Sequence, residues 1–162
     1  MIMVTVYEMD YNEDKQVQYV RTDEQVICSV CDCEVLIKKG WRRRTLILIN
    51  DEELVLMVRR VKCKGCNKTH HVLPDIIVPY KRHDLETIEK IVLHNQNETV
   101  CEESVINRIK TWWRRLLLYA TMLQSSKQIQ FPAPSKPQLS TIVRILVNAN
   151  LWPGTRIALG FG

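Results

Sequence analysis

The sequence predicts an α+β fold, strand-rich first and helical later, and three observations predict it. As far as Pro74 the apolar residues come in short alternating or β-branched runs broken by polar turns, the pattern of strands. Beyond Pro79 they recur every three or four positions, the pattern of amphipathic helices. Two Cys-x-x-Cys pairs bracket the most strand-like segment, so the chain has a reason to return on itself there.

Taken in order, residues 2–7, "IMVTVY", read as a short strand and "DYNEDK" as a polar turn, which makes 1–25 a strand-and-turn segment. Within 26–79, "RTLILIN" and "ELVLMVRRVKC" are strand-like runs on either side of Asp51-Glu52-Glu53, too polar to bury and placed for a hairpin turn. In 80–128, Leu85, Ile88, Ile91 and Val92 fall at helical spacing behind Asp84, a candidate N-cap. After the break "NQNET", Val105, Ile106, Ile109, Trp112, Trp113, Leu116 and Leu117 mark one face of a longer helix that begins near Ser104. "QFPAPSKPQ" carries three prolines in nine residues, which makes 129–138 an extended linker. Residues 139–162 read as a short apolar helix, stopped by Pro153-Gly154, and a tail.

The strongest chemical signal is Cys28-x-x-Cys31 followed by Cys63-x-x-Cys66, with 31 residues between the pairs. Each tight knuckle aims two thiolates and several backbone amides at one point, and two knuckles supply the four sulfur ligands of a closed structural zinc site. The insert is long, but a hairpin that brings the pairs together closes it. A disulfide relay lacks a thioredoxin-like βαβ setting, whereas iron would accept the same four sulfurs. The expectation is a small zinc ribbon of β-hairpins. Cys33 reads as a bystander on the strand leaving the first knuckle, and Cys101 as a small residue near a helix start. His70 and His71 lie close enough to replace a cysteine, but with four thiols available they read as polar strand residues.

Charge divides the chain. The net charge is +5, yet all 18 carboxylates lie at or before Glu103, while Ser104–Gly162 holds Arg108, Lys110, Arg114, Arg115, Lys127, Lys136, Arg144 and Arg156 with no acid among them. A segment of that kind favours a polyanion partner through counterion release, or else is simply a solvated face. On the longer helix Asn107, Arg108, Lys110, Thr111, Arg114 and Arg115 make the kind of surface that a helix-turn-helix presents to DNA, with Asn107, Arg108 and Thr111 the candidates to read bases; the alternative is an amphipathic helix that simply packs. "KKGWRRR" adds Arg42, Arg43 and Arg44 around Trp41 in the ribbon, able to hold phosphates or stack on unpaired bases.

The stretches "ICSVCDCEVLIKKGWRRRTL", "RRVKCKGCNKTHHVLPDIIVPYKRHDLETIEKIV" and "CEESVINRIKTWWRRLL" together resemble an uncharacterised bacterial family that joins a cysteine-rich ribbon to a transposase-like helix-turn-helix. The ribbon is also similar to the N-terminal zinc-binding heads of insertion-sequence transposases. The resemblance implies zinc on Cys28, Cys31, Cys63 and Cys66 and DNA contact by the helix starting at Ser104. Transposases continue into a catalytic domain with three acidic metal ligands, and no carboxylate follows Glu103 here, so no enzyme is expected.

The sequence therefore predicts a zinc-containing, double-stranded-DNA-binding regulator or mobile-element accessory, with a transposase or another protein as a further partner. The alternative is a protein-interaction adaptor built on a structural ribbon. No apolar run reaches the length of a membrane span and the N-terminus is acidic, which places the chain in the cytoplasm, nucleoid-associated if it binds DNA.

Overall fold

The computed structural model describes residues 1–93, 100–131 and 138–153. Six strands form one mixed sheet: β1 (Ile2–Val4), β2 (Glu8–Asn12), β3 (Val17–Arg21), β4 (Leu36–Ile47), β5 (Glu53–Cys63) and β6 (Thr69–Pro74). Three helices follow: α1 (Leu85–Val92), α2 (Glu103–Ser125) and α3 (Leu139–Asn148).

β5 is the spine of the sheet. Along one side β4 runs antiparallel to it, from Leu36 opposite Cys63 to Ile47 opposite Glu53. The other side is shared, with β3 parallel beside Leu56 and Met57 and β6 antiparallel beside Arg59–Lys62. β2 hairpins onto β3, and β1 lies parallel to β6. Because β5 has partners on both sides it is apolar on alternating faces: Leu56 and Val58 bury on one with Val20, Leu46, Leu73 and Ile77, and Val61 buries on the other with Ile2, Val4 and Val72.

The expected small ribbon of hairpins over 26–79, followed by a helix-turn-helix, is corrected on both counts; the α+β class stands. The knuckles sit at one end of a larger sheet that recruits β1 and β3 through parallel pairings and β2 through its hairpin with β3. On the helical side, no helix-turn-helix forms among the described residues. Instead α2 runs for 23 residues and buries Ile106, Ile109, Trp112, Leu116, Ala120 and Leu123 along its whole length. That stripe joins Ile88 and Ile91 of α1, Ile142, Val143 and Leu146 of α3, and Met3 of β1 in one core. A stripe this long commits the helix to packing as a layer rather than to projecting from a compact turn.

Local chemistry explains the joints. Asp84 caps α1 by accepting from the Thr87 N–H at 3.1 Å. The open edge of β1 is closed by Asn148 of α3, whose side-chain oxygen accepts from the Met3 N–H at 2.8 Å and whose amide donates to the Met3 carbonyl at 3.1 Å; a side-chain amide thus takes the place of a further strand. Ile129 is buried in the helical core and Phe131 packs against it, so the start of the expected linker is anchored. The proline-rich 132–137 and the tail 154–162 lie outside the described residues.

One irregularity sets the chemistry of the sheet. Between Lys38 and Trp41 the register of β4 slips, so that Lys39 and Gly40 together oppose Arg60, and Gly40 takes a φ of 92° that a side chain would resist. A strand alternates strictly, so this one extra residue exchanges the faces of everything after it. Trp41 lands opposite Arg59, while Arg42 and Arg44 land opposite Val58 and Leu56.

Candidate metal centre and basic face

At the far end of β5 the two knuckles meet. Cys63 is the last residue of β5, and Cys28 and Cys31 lie in the turn before β4, held there by Cys28 N–H donating to the Cys33 carbonyl and Lys64 N–H donating to the Val35 carbonyl, each at 3.0 Å. Cys28 Sγ is 3.6 Å from Cys66 Sγ, Cys31 Sγ is 3.6 Å from Cys63 Sγ, and all four sulfurs lie within 4.8 Å of one another. Four sulfurs bonded to one ion at about 2.3 Å would be about 3.8 Å apart. The donor set fits a metal ion, and disulfides would need the sulfurs near 2.05 Å.

The electrostatics agree. Backbone N–H groups of Cys66 and Gly65 bond to Cys63 Sγ and hold its pKa below the ordinary thiol value. At Cys31 the N–H of Cys33 pulls the same way, but desolvation and hydrogen bonds to Cys63, Cys66 and Cys28 outweigh it and push the thiol up to about 12. Four thiolates cannot crowd together without a cation among them. Gly65 completes the cradle: a Cβ there would stand 3.1 Å from Cys33 Cβ and 3.3 Å from Cys31 Sγ. Cys33 itself lies outside the cluster, with its sulfur directed to the Val35 carbonyl.

His70, set aside in the sequence as a strand residue, belongs to this centre as a supporting group. It is buried, with Nε2 3.2 Å from Cys28 Sγ and Nδ1 3.4 Å from the Met1 nitrogen. With Nδ1 accepting, Nε2 carries the proton and donates to the sulfur, the arrangement that orients a metal-binding thiolate. Strand alternation held the signal, since His70 shares a face with the buried Val72.

The second feature is a basic face. Arg42 and Arg44 of β4 project on the same side of the sheet as Arg60 of β5 and His71 of β6, the last two directly opposite each other. Burial, followed by Arg44, Arg60 and Arg42, holds His71 below the usual histidine range; three guanidiniums close enough to be felt by one imidazole have converged. Beside them a cavity of about 430 Å³ is lined by Arg43, Arg44, His71, Tyr80, Lys81 and Arg82, and no carboxylate lines it. Among the described residues none of Arg42, Arg43, Arg44, Arg60 and Arg82 forms an ion pair.

The segment 79–84 separates this cavity from a second of about 650 Å³, which Arg108 and Cys101 reach from the helical side and which Asp51 and Glu102 make mixed in charge. Lys81 Nζ lies 4.1 Å over the Trp112 ring, and burial, with Arg108 nearby, lowers its pKa to about 8. The remaining expected DNA-reading residues sit apart. Asn107, Arg108, Thr111 and Arg114 are exposed on α2, whereas Lys110 and Arg115 are half-buried. Trp41 is half-buried too, with Arg59 stacked 3.6 Å over its ring and Tyr19 against its edge.

A family model described as "Domain of unknown function (DUF6431)" matches residues 28–112, just over half of the chain, from the first knuckle to Trp112 of α2. No curated protein and no solved structure matches the chain. Among the described residues no helix is long and apolar enough to cross a membrane.

Proposed function

We propose that this chain, which belongs to the DUF6431 family, is a zinc-stapled nucleic-acid-binding protein that holds backbone phosphates against the basic face of its sheet. The observation that carries the reading is the convergence of Arg42, Arg44, Arg60 and Arg82 beside a cavity without a carboxylate, none of them in an ion pair among the described residues. Unpaired arginines gathered at that density cost folding energy through mutual repulsion, a cost that an anionic partner offsets. Guanidinium groups also suit phosphate through their planar, forked donors.

Zinc suits the four sulfurs of Cys28, Cys31, Cys63 and Cys66, and it leaves no position open for a substrate. Its contribution is mechanical. It would tie the turn before β4 to the last residue of β5, beside the pairing of Leu36 with Cys63 from which the register that sorts Arg42 and Arg44 onto one face begins. His70 keeps Cys28 oriented toward the ion, and the knuckle amides stabilise the thiolates. The reading assigns no catalytic residue.

The adaptor reading has one observation in its favour: Leu118 and Met122 stand 68% and 69% exposed on α2, an apolar patch open to a partner protein. Salt separates the two. Metal-loaded protein titrated with a labelled oligonucleotide over a salt series should lose affinity steeply, with a logarithmic slope of about −0.7 to −0.9 per phosphate neutralised. A protein that ignores nucleic acid at low salt would instead support the adaptor.

A further inference from the structure

Tyr80 stands out on this surface. Its ring is 61% exposed and its backbone holds a φ of 63°, in the left-handed region that a bulky side chain rarely enters. The conformation is imposed from both sides. The Lys81 N–H donates to the Val78 carbonyl at 3.1 Å, the Ile47 N–H donates to the Arg82 carbonyl at 2.7 Å, and the Asp84 N–H donates to the Ile47 carbonyl at 3.2 Å, so 78–84 is clamped to the end of β4. A bulky residue held in this way is strained, and here the result is an aromatic ring displayed to solvent.

Its position matters more than its strain. Tyr80, Lys81 and Arg82 line both the 430 Å³ and the 650 Å³ cavities; Arg44 lines only the first, and Arg108 only the second, together with Asp51 and Glu102. Among the described residues its hydroxyl has no hydrogen-bond partner. The other exposed tyrosine, Tyr11, is 60% exposed but sits on β2 beside Asp10, Glu13 and Asp14, where a phosphate chain would be repelled. Trp41, the other aromatic among the sheet cations, already has Arg59 over its ring.

From these placements we infer that the surface takes a single strand, with one unpaired base stacked on Tyr80 and the flanking phosphates held by Arg44 and Arg82 on one side and Arg108 on the other. This rests on the basic-face reading above and narrows it. A duplex keeps its bases stacked inside and offers the ring nothing, whereas every unpaired base has a face for it. An exposed aromatic ring with cations along the path to either side of it is the arrangement that follows a single strand.

The test compares three probes at one salt concentration: a short labelled oligothymidylate, a duplex of equal length and inorganic polyphosphate. Tyr80→Gly is the informative variant, because glycine accepts the left-handed backbone and the fold is relieved rather than broken. The expected result is that the wild type prefers oligothymidylate to duplex, that Tyr80→Gly weakens oligothymidylate binding by about tenfold and leaves polyphosphate binding unchanged, and that Tyr80→Phe and Tyr11→Ala bind like the wild type. Wild-type affinity for oligothymidylate in Tyr80→Gly, or a preference for duplex, overturns the stacking site while leaving the basic face in place. Failure to bind any of the three probes overturns both readings.

Discussion

The exposed side of α2 and the basic face of the sheet carry the same kinds of side chain to different effect. On α2, Arg108 and Arg114 are six residues apart, about 9 Å along the axis and on different turns. Arg108 reaches the cavity beside Lys81, and Arg114, a turn and more away, does not line it. On the sheet, Arg42 and Arg44 are one pleat repeat apart, about 7 Å, and Arg60 approaches from the neighbouring strand opposite His71. There three charges act on one imidazole. Cations become a site by converging, and a pleated surface of paired strands converges side chains that a helix spreads around its axis.

The largest effect should come from breaking the metal centre. Cys63→Ser leaves three thiols of the cluster and stripping the ion with a chelator leaves all four without a cation, and either loosens the turn before β4 from the end of β5. The expected loss is at least several kcal/mol, since structural zinc binds with about 10–16 kcal/mol at neutral pH, with the strand signal in circular dichroism falling before the helical signal. A helical signal that falls together with it would show that the two layers are one cooperative unit. The converse substitution is Leu116→Ala on the helical side. Leu116 is fully buried, so its truncation should cost about 2–5 kcal/mol, read in a denaturant titration, while metal stoichiometry stays at one ion per chain.

Gly65→Ala is a finer probe of the sheet end. The new methyl group must push Cys33 or Cys31 aside by a few tenths of an ångström. Metal affinity should fall by about tenfold, within the range of perturbations beside metal ligands, with the thermal midpoint of the helical layer unmoved. A competition titration against a chromophoric chelator reads it, and unchanged affinity would show that the knuckle relaxes freely.

An effect confined to alkaline pH lies where the two layers meet, at Lys81. Its pKa is lowered by burial from 10.5 to about 8, so between those values the unfolded chain is protonated and the folded chain is not. The sign follows: below pH 8 the burial cost is fully present, and stability rises with pH from about 8 to 10.5. The stability of the wild type relative to Lys81→Met should rise over that window in parallel denaturation series. A flat difference would place the ammonium in water rather than over Trp112.

Parts of this were legible in the sequence for definite reasons. The cysteine spacing is local chemistry, and the β4–β5 hairpin announces itself by apolar runs flanking Asp51-Glu52-Glu53. Asp84 signals a cap by its place before a helical period. β2 and β3 were not legible, because "EMDYN" is polar and β3 reaches its spine by a parallel pairing of Gln18 with Leu56 that no local pattern encodes. The slip at Gly40 was also hidden, and it decides which arginines share a face. α2 misled because a basic amphipathic helix has one sequence signature whether it packs as a layer or reads a groove.

The central claim is that the polyanion is held by the basic face of the sheet, which of α2 only Arg108 approaches, rather than by the exposed side of α2 that carries Asn107 and Arg114. It is tested most directly by the salt dependence of oligonucleotide binding in two double variants, Arg44→Ala/Arg60→Ala on the sheet and Asn107→Ala/Arg114→Ala on α2, each loaded with metal. The account predicts that the sheet variant loses at least about tenfold in affinity at low salt and that its logarithmic salt slope is smaller by about 1.4, two phosphate contacts at about 0.7 each, while the α2 variant follows the wild type. An α2 variant that loses both affinity and slope, beside a sheet variant that loses neither, would contradict it.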